Sequence, residues 1–533
     1  MVSDLYNKRK EESMQNILVG LNLILFLIFF YKRAREGLHI LQLENYYNDR
    51  YAVWMKRYIK KVLNIKVIVL LLIPIILLIF DIKNIVLMLN ILVYIILIAT
   101  AKKAKEKKAF VVTARIRRMY VTYLFIFAII TLLAIFVDYK IAMIIANICA
   151  MVAYTFVYLV NMINKPIEKS IRKGFCVKAS KKLKEIPNLK VIGITGSYGK
   201  TSTKYAINTI LSQKFNTLMT PESYNTTMGV VRTINEKLAS THQLFICEMG
   251  AKYVGDIKEI CDIVKPEFGI VTAIGPQHLD TFHSLDNVKK TKLELVDSLP
   301  KNGLAFVNWE DENIKKSELP ENVVKFGLTK KADYYAEKIE ITEHGSSFDV
   351  VLPDKEKIHI KTKLLGELNI LNIVGAVAIA DKLGMTAEEI KVGAKYLKPV
   401  PHRLQLKQNP NGSIIIDDAY NSNIKGAKMA LDVLRTFDKK QRVLITPGIV
   451  ELGDKAEQIN RELGKKAAEC ADYVILVGAE QTVPILKGLQ DRHYPKQNMF
   501  IAKNLEEALQ EMNRITSNNT VILLENDLPD NYL

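Results

Sequence analysis

Five apolar runs come first along the chain: Ile17–Tyr31, Val67–Phe80, Ile85–Thr100, Tyr120–Val137 and Ile141–Val160. None keeps the polar face that a surface helix of a soluble domain retains. Each approaches the length needed to cross a bilayer, although the second is short and carries Pro74. The pattern predicts an α-helical membrane region of about five transmembrane helices over residues 1–164. No small-residue cleavage site follows the first run and further runs come after it, which argues against a removable leader. Residues 165–188 read as a basic linker. From residue 189 the texture changes to short β-rich runs, "KVIGIT", "HQLFICEMG", "EFGIVTAI" and "GLAFVNWE", between helix-like stretches such as Asp286–Ser298. That alternation predicts an α/β domain over 189–400 with a mostly parallel sheet and helices on both faces. Near Lys325–Lys363 the runs "FDVVLP" and "KIHIKTK" alternate as antiparallel strands do. After Pro401 a second α/β pattern starts with "SIIIDDAY", "QRVLITPG", "DYVILVGA", "NMFIAK" and "TVILLEN", which predicts a smaller Rossmann-like domain over 401–533.

Charge changes the picture only in the first third. The whole chain carries +18, but residues 1–190 hold 31 Lys and Arg against 11 Asp and Glu, a net of +20, and the remainder a net of −2. A nucleic-acid partner loses its support, because the two α/β domains have no basic excess. The Lys32–Lys66 stretch holds nine Lys and Arg and Lys102–Arg118 holds eight, whereas "DIKN" and "DYK" hold one each. By the positive-inside rule the two basic loops face the cytoplasm. This predicts a multi-pass protein of the cytoplasmic membrane, in contact with membrane lipid, with both α/β domains in the cytoplasm. Leu38–Tyr58 is aromatic and basic enough for an interfacial helix, and a plain amphipathic connector is an equal reading. Cys149, Cys176, Cys247, Cys261 and Cys470 show no paired or metal-type spacing and read as reduced.

Candidate chemistry begins in "TGSYGKTS". Gly196 and Gly199 let the backbone aim N–H groups at a phosphate, and the following helix adds its positive end. Lys200 is placed for the β- and γ-phosphates of ATP and Thr201 for Mg²⁺, with Ser197 and Ser202 completing the nucleotide-binding stretch. The usual G-x-x-x-x-G-K-[ST] spacing is not kept, because Ile194 stands at the first glycine.

A phosphate loop of this wording resembles that of the Mur ligases, ATP-dependent amide-forming enzymes of bacterial cell-wall synthesis. "TPESYNTTMGV", "ICEMGAKYVGDI", "HLDTFHSLDNVKKTKLELV", "GELNILNIVGAVAIA", "PHRLQ" and "DDAYNSNIKG…PGIVELG" follow in the family's order. The wording of "EMGA", "HLD" and "DDAYNSN" is similar to the MurF-like branch, which adds D-alanyl-D-alanine to the muramoyl tripeptide. The resemblance implies an acid–amino-acid ligase that activates a carboxylate as an acyl phosphate, releases ADP and joins the acyl group to an amine. It implies Mg²⁺, two ions, held by Thr201, Glu248 and His278 together with Lys292, the lysine that the family carbamylates with CO₂. Lys200, Glu248, His278 and Lys292 are then the catalytic set, with Asp280 beside His278 as a helix cap or supporting group. Asn369 is implied at the nucleotide base, Arg403 at phosphate and Asp418 at the ribose. Tyr420, Asn421 and Asn423 stand where the last domain closes over the nucleotide; for Asn423 alone a plain β-turn role is a credible alternative. Two places depart from the pattern: Leu368 stands where the family has a histidine, and "VILLENDLPDNYL" replaces a strand and glycine/serine turn.

The family's soluble members begin with a domain that holds the UDP part of the precursor, and the helical region stands in its place here. The expectation is a membrane region that replaces that domain or brings the enzyme to a lipid-linked precursor. The acceptor is then a UDP-linked or lipid-linked muramoyl peptide, and the amine an amino acid or dipeptide. Two other readings stay open: a polyglutamate or capsule-type amide ligase, and a non-catalytic ATP-binding partner of wall synthesis.

Overall fold

The computed structural model describes residues 2–80, 83–101, 109–222, 224–420, 423–450 and 452–526. Residues up to Arg172 form one compact unit and those from Lys173 another.

Among the described residues the regular elements of the first unit are all helices: Val2–Leu43, Asn48–Arg57, Ile59–Val62, Ile65–Ile79, Lys83–Thr100, Ala114–Phe136, Tyr139–Met151 and the start of Ala153–Lys184. The polar residues between the apolar runs start these helices. Asn64, Thr113 and Asp138 are N-caps whose side chains accept from backbone N–H groups two or three residues further on. Inside, Phe26, Phe30, Tyr94, Tyr123 and Phe127 pack edge to face or tilted, with Tyr123 and Phe127 stacked. Outside, Phe125, Ile135 and Phe136 are each two-thirds exposed or more. Large apolar side chains thus lie on the outer faces of these helices as well as inside.

Three described helices, within Arg9–Leu43, Ile59–Ile79 and Ala114–Phe136, are long and apolar enough to cross a bilayer. The third expected span, Ile85–Thr100, falls on a shorter helix, and the fifth is not straight. Its run breaks at Val152, where Tyr139–Met151 meets Ala153–Lys184 at 93°. The break is supported by Arg33, whose guanidinium donates to Ala150 O (3.3 Å) and Val62 O (3.0 Å), carbonyls that two helix ends leave open. By length and composition the count is three spans, or four with the bent pair as one. The expected interfacial segment is also divided. A turn with left-handed Asn45 and Tyr46 separates the first helix from Asn48–Arg57, which buries Tyr51 and Trp54.

The stretch expected as a linker is helical as far as Lys184. Cys176, Ala179 and Leu183 recur at helical spacing and pack with Val230 and Ile234. Lys182 closes the contact by donating to Ile234 O and Asn235 O.

Two sheets organise the second unit. The first contains β1 (Lys190–Thr195), β2 (Thr217–Met219), β3 (Leu244–Glu248), β4 (Phe268–Val271), β5 (Leu304–Asn308) and β6 (Val323–Gly327). It continues through β7 (Tyr334–Thr342), β8 (Gly345–Val351) and β9 (Lys357–Thr362), in the order β2-β3-β1-β4-β5-β6-β7-β8-β9. Pairing is parallel up to β7 and antiparallel from β7 to β9. Its parallel strands bury both faces: Ile192, Ile246 and Ile270 point to one core, Val191, Phe245 and Val271 to the other. The helix Glu367–Lys382 lies in the first core and is buried without interruption from Asn369 to Ala380.

The second sheet contains β10 (Gln405–Gln408), β11 (Ile414–Asp418), β12 (Gln441–Thr446), β13 (Tyr473–Val477), β14 (Met499–Ala502) and β15 (Thr520–Glu525). Its order is β10-β11-β15-β12-β13-β14, parallel except for the added edge strand β10. Both sheets therefore present the carboxyl ends of parallel strands as a ligand-gathering edge.

Candidate active site

The site is built where β1, β3 and β4 end. β1 stops at Thr195, and the chain turns through Gly196 (φ 149°) and Gly199 (φ 83°) into the helix Lys200–Leu211. Gly196 is required on two counts. Its φ is strained for any side chain, and a Cβ would lie 2.1 Å from Thr272 Oγ1. Thr272, just past β4, holds the loop from below by donating to Tyr198 O (2.5 Å) and Thr195 O (3.2 Å).

Ser197 does not offer its hydroxyl outward. Its Oγ exchanges hydrogen bonds of 3.0 Å with the N–H and carbonyl of Gly275, and its N–H donates to Ala273 O. Ser197 shapes the loop. Lys200 folds over the same loop and donates to Gly196 O (2.7 Å) and Ser197 O (3.4 Å). Burial lowers its ammonium to about 8, against the raising influence of Glu248 and with Arg403 lowering it further. An ammonium so poorly hydrated gains charge compensation from a phosphate anion.

Thr201 Oγ1 donates to Glu248 Oε1 at 3.2 Å, so the first helical turn and the end of β3 bring two oxygens together. Such a hydroxyl–carboxylate pair suits a hard divalent cation. Glu248 is 1% exposed and also accepts from Asn225 Nδ2 (3.0 Å), while its Oε2 faces Lys204 Nζ at 3.0 Å. Neither Asn225 nor Lys204 stood out in the sequence. Among the described residues no group of three His, Cys, Asp or Glu is set to hold a metal.

Lys292 lies on the helix Leu285–Asp297, buried, and its Nζ makes no hydrogen bond or ion pair with the described residues. Burial, with Lys200 adding to it, lowers its ammonium to about 7. His278 is half-buried after β4, in the left-handed region (φ 51°), and opens the short helix Leu279–Phe282. The side chain of Asp280 lies outside the described residues.

A cavity of about 210 Å³ opens beside the loop, with Ser202, Asn369, Asn372 and Arg403 in its lining. Asn369 spends its Nδ2 on Leu365 O, whereas Asn372 accepts from Thr203 at Oδ1 and keeps a buried Nδ2 without a partner. A buried free donor on a cavity wall fits the acceptor nitrogens of a nucleobase. Arg403 lies 4.6 Å over the ring of Tyr420. Asp418, at the end of β11, accepts from Leu404 N–H, and burial raises its carboxyl to about 6 against the pull of Arg403. Asn423 caps the helix Ile424–Arg435 by accepting from Lys425 and Gly426 N–H. Asn421 and residues 527–533 lie outside the described residues.

Comparison with known proteins accords with this geometry. The sequence profile "Mur ligase middle domain" matches residues 194–380, and "Mur ligase, glutamate ligase domain" matches 402–525. The UDP-N-acetylmuramoyl-tripeptide–D-alanyl-D-alanine ligase of Escherichia coli K12 is 32% identical over 59% of this chain and 70% of its own length. The enzyme of that name from Haemophilus influenzae is 31% identical over 63% and 74%. Among solved structures, MurF from Acinetobacter baumannii superposes with a TM-score of 0.60 at 26% identity, covering 68% of this chain and 78% of that one. MurF from Thermotoga maritima in complex with ADP shares the fold, with a TM-score of 0.60 at 23% identity over 67% and 80%.

Proposed function

Because the chain belongs to the Mur ligase family, in its MurF-like branch, and is thereby an ATP-dependent, ADP-forming ligase, we propose that it joins a muramoyl-peptide carboxylate to D-alanyl-D-alanine while its N-terminal helices hold it at the cytoplasmic membrane. The observation that carries the reading is the meeting of Lys200, Thr201 and Glu248 at one strand edge, with the buried Lys292 within electrostatic reach of Lys200.

The acceptor carboxylate attacks the γ-phosphorus of ATP, the bond to the bridging oxygen breaks, and ADP leaves. The dipeptide amine then attacks the acyl phosphate, loses a proton and expels inorganic phosphate. Lys200 and the loop N–H groups neutralise charge on the transferring phosphoryl group, and Gly196 permits that backbone approach. Thr201 and Glu248 would hold Mg²⁺, which neutralises phosphate charge and aligns the transfer. His278 and a carbamylated Lys292 would hold a second ion; the lowered basicity of the Lys292 amine, which makes no hydrogen bond with the described residues, supports that modification. The free amide of Asn372, with Asn369 and Ser202, fits the base, and Arg403 and Asp418 fit phosphate and ribose. Stacked on Tyr420, Arg403 is held in place for that task.

Residues 1–164 carry the membrane function, and the apolar outer face of their helices supports it. A lipid-linked muramoyl peptide is the acceptor that gives those helices a role. The test is ADP release by the detergent-purified chain with Mg-ATP and D-alanyl-D-alanine, offered UDP-muramoyl tripeptide or its lipid-linked form. Lys200→Ala protein is the control. Turnover that needs the dipeptide and favours the lipid-linked acceptor is expected. Equal activity on the soluble acceptor after deletion of the helices would remove the membrane part of the reading.

A further inference from the structure

The helix that follows the phosphate loop buries Ala206, Ile207, Ile210 and Leu211, and with them a charged residue, Lys204, at 0% exposure. A lysine taken out of water to that degree persists only if its charge is met. Its Nζ is 3.0 Å from Oε2 of Glu248, whose side chain is equally hidden. The same ammonium donates to the carbonyl of Glu222, a non-glycine residue in the left-handed region (φ 41°). Glu222 belongs to the segment between β2 and the next helix, and that segment reaches Glu248 a second time through Asn225 Nδ2. At its start, Thr220 Oγ1 accepts from Glu248 N–H.

The two oxygens of Glu248 therefore have separate duties. Oε1 accepts from the Thr201 hydroxyl and from Asn225 Nδ2, while Oε2, which makes no hydrogen bond with the described residues, is met by the charge of Lys204 at 3.0 Å. A carboxylate with one oxygen tied presents the other in one direction only. We infer that Lys204 is a positioning residue, one helical turn beyond Lys200, that holds Glu248 in a single orientation and fastens Glu222 beside it. The inference rests on the proposed role of Glu248 toward the nucleotide's metal. Lys204 itself touches no reacting atom. Without its ammonium, Glu248 turns about its terminal torsion, and the left-handed bend at Glu222 loses the contact that sustains it.

The test uses the full-length chain with Lys204→Met, which keeps the length and removes the charge, and Lys204→Arg, which restores a cation. Amide exchange of residues 220–226 is followed without nucleotide, beside steady-state ADP release. Lys204→Met is expected to exchange at least about tenfold faster in that segment, with the helix Glu367–Lys382 unchanged. Its kcat is expected to fall about 100-fold with the KM for ATP within about threefold, and Lys204→Arg to recover most of both losses. Unaltered exchange, a kcat near that of the parent, or a loss confined to KM would overturn the inference. Faster exchange throughout the core of the Met variant, unrelieved by Arg, would make Lys204 a stabilising residue only and overturn it too. A parent chain inactive with muramoyl acceptors would count against the proposed substrates, and the exchange measurement would still decide Lys204.

Discussion

Lys292 offers the sharpest prediction, because its chemistry depends on one proton. An ordinary lysine, with a value near 10.5, is neutral in about one molecule in three thousand at pH 7. Burial, and to a lesser degree the charge of Lys200, bring Lys292 to about 7, so about half of the amines are neutral there, a gain of about a thousandfold. Only the neutral amine attacks CO₂, forming an N–C bond and releasing one proton to leave a carbamate. The absence of a hydrogen-bond partner among the described residues leaves the nitrogen lone pair available to react. The sign follows. As pH falls through about 7 the amine is protonated and uptake is lost; as pH rises uptake is gained, until dissolved CO₂ itself becomes scarce as bicarbonate.

Two measurements check this. Protein equilibrated with ¹³C-bicarbonate should show a carbamate carbon resonance that Lys292→Gln protein lacks and that fades below about pH 6.5. Turnover in CO₂-depleted buffer should fall at least about tenfold and return with bicarbonate, while Lys292→Gln loses about 100-fold or more and does not respond. A Lys292→Gln enzyme with parental turnover, or a parent indifferent to bicarbonate, refutes the reasoning. Burial would then have made Lys292 a neutral packing group.

Gly196→Ala puts a methyl group 2.1 Å from Thr272 Oγ1 and breaks the bonds that hold the loop; ADP affinity by calorimetry should weaken at least about tenfold, and a change under twofold would contradict the geometry. Asp418→Asn should be more stable than the parent at pH 7.5. The parent carboxyl, raised by burial from 3.8 to about 6, contributes stability that is full below pH 3.8 and lost as pH rises through about 6. The difference in denaturant unfolding should therefore approach about 3 kcal/mol at neutral pH and close below pH 4, while turnover falls. The apolar outer faces of the first unit should keep the chain in the membrane pellet through alkaline carbonate washing; release to the supernatant would show that the helices only adhere.

The fold was legible where burial left a strong pattern. Parallel strands covered on both faces read as continuous apolar runs, so β1, β3, β4, β12, β13 and β15 stood out. The edge strand β10, "QLKQ", did not, because an edge needs one apolar face at most and is governed by its partner β11. β2 has three residues and no period to detect. The bend at Val152 was illegible for a different reason. The composition stays apolar across it, and its support comes from Arg33, distant in the chain.

In the site, the residues of the phosphate loop were legible as types, but not their division of labour. Nothing local shows that Ser197 turns inward to Gly275 or that Asn372, not Asn369, keeps the free amide. Lys204 is the instructive omission. Read alone it is one more lysine in a basic chain, and its partners lie on other elements. Yet a signal was present. Lys204, Ile207 and Leu211 fall at i, i+3 and i+7, so the lysine sits on the helix's apolar stripe, whereas Lys200 stands at the first helical position. A cation on an apolar stripe is either exposed by an incomplete core or paired with a buried acid. The core here is complete, and the neighbouring strand β3 ends in Glu248, the one acidic residue of "LFICE". Periodicity that marks a charge as misplaced therefore identifies a functional pair as directly as a motif does, provided that the strand supplying its partner can be named.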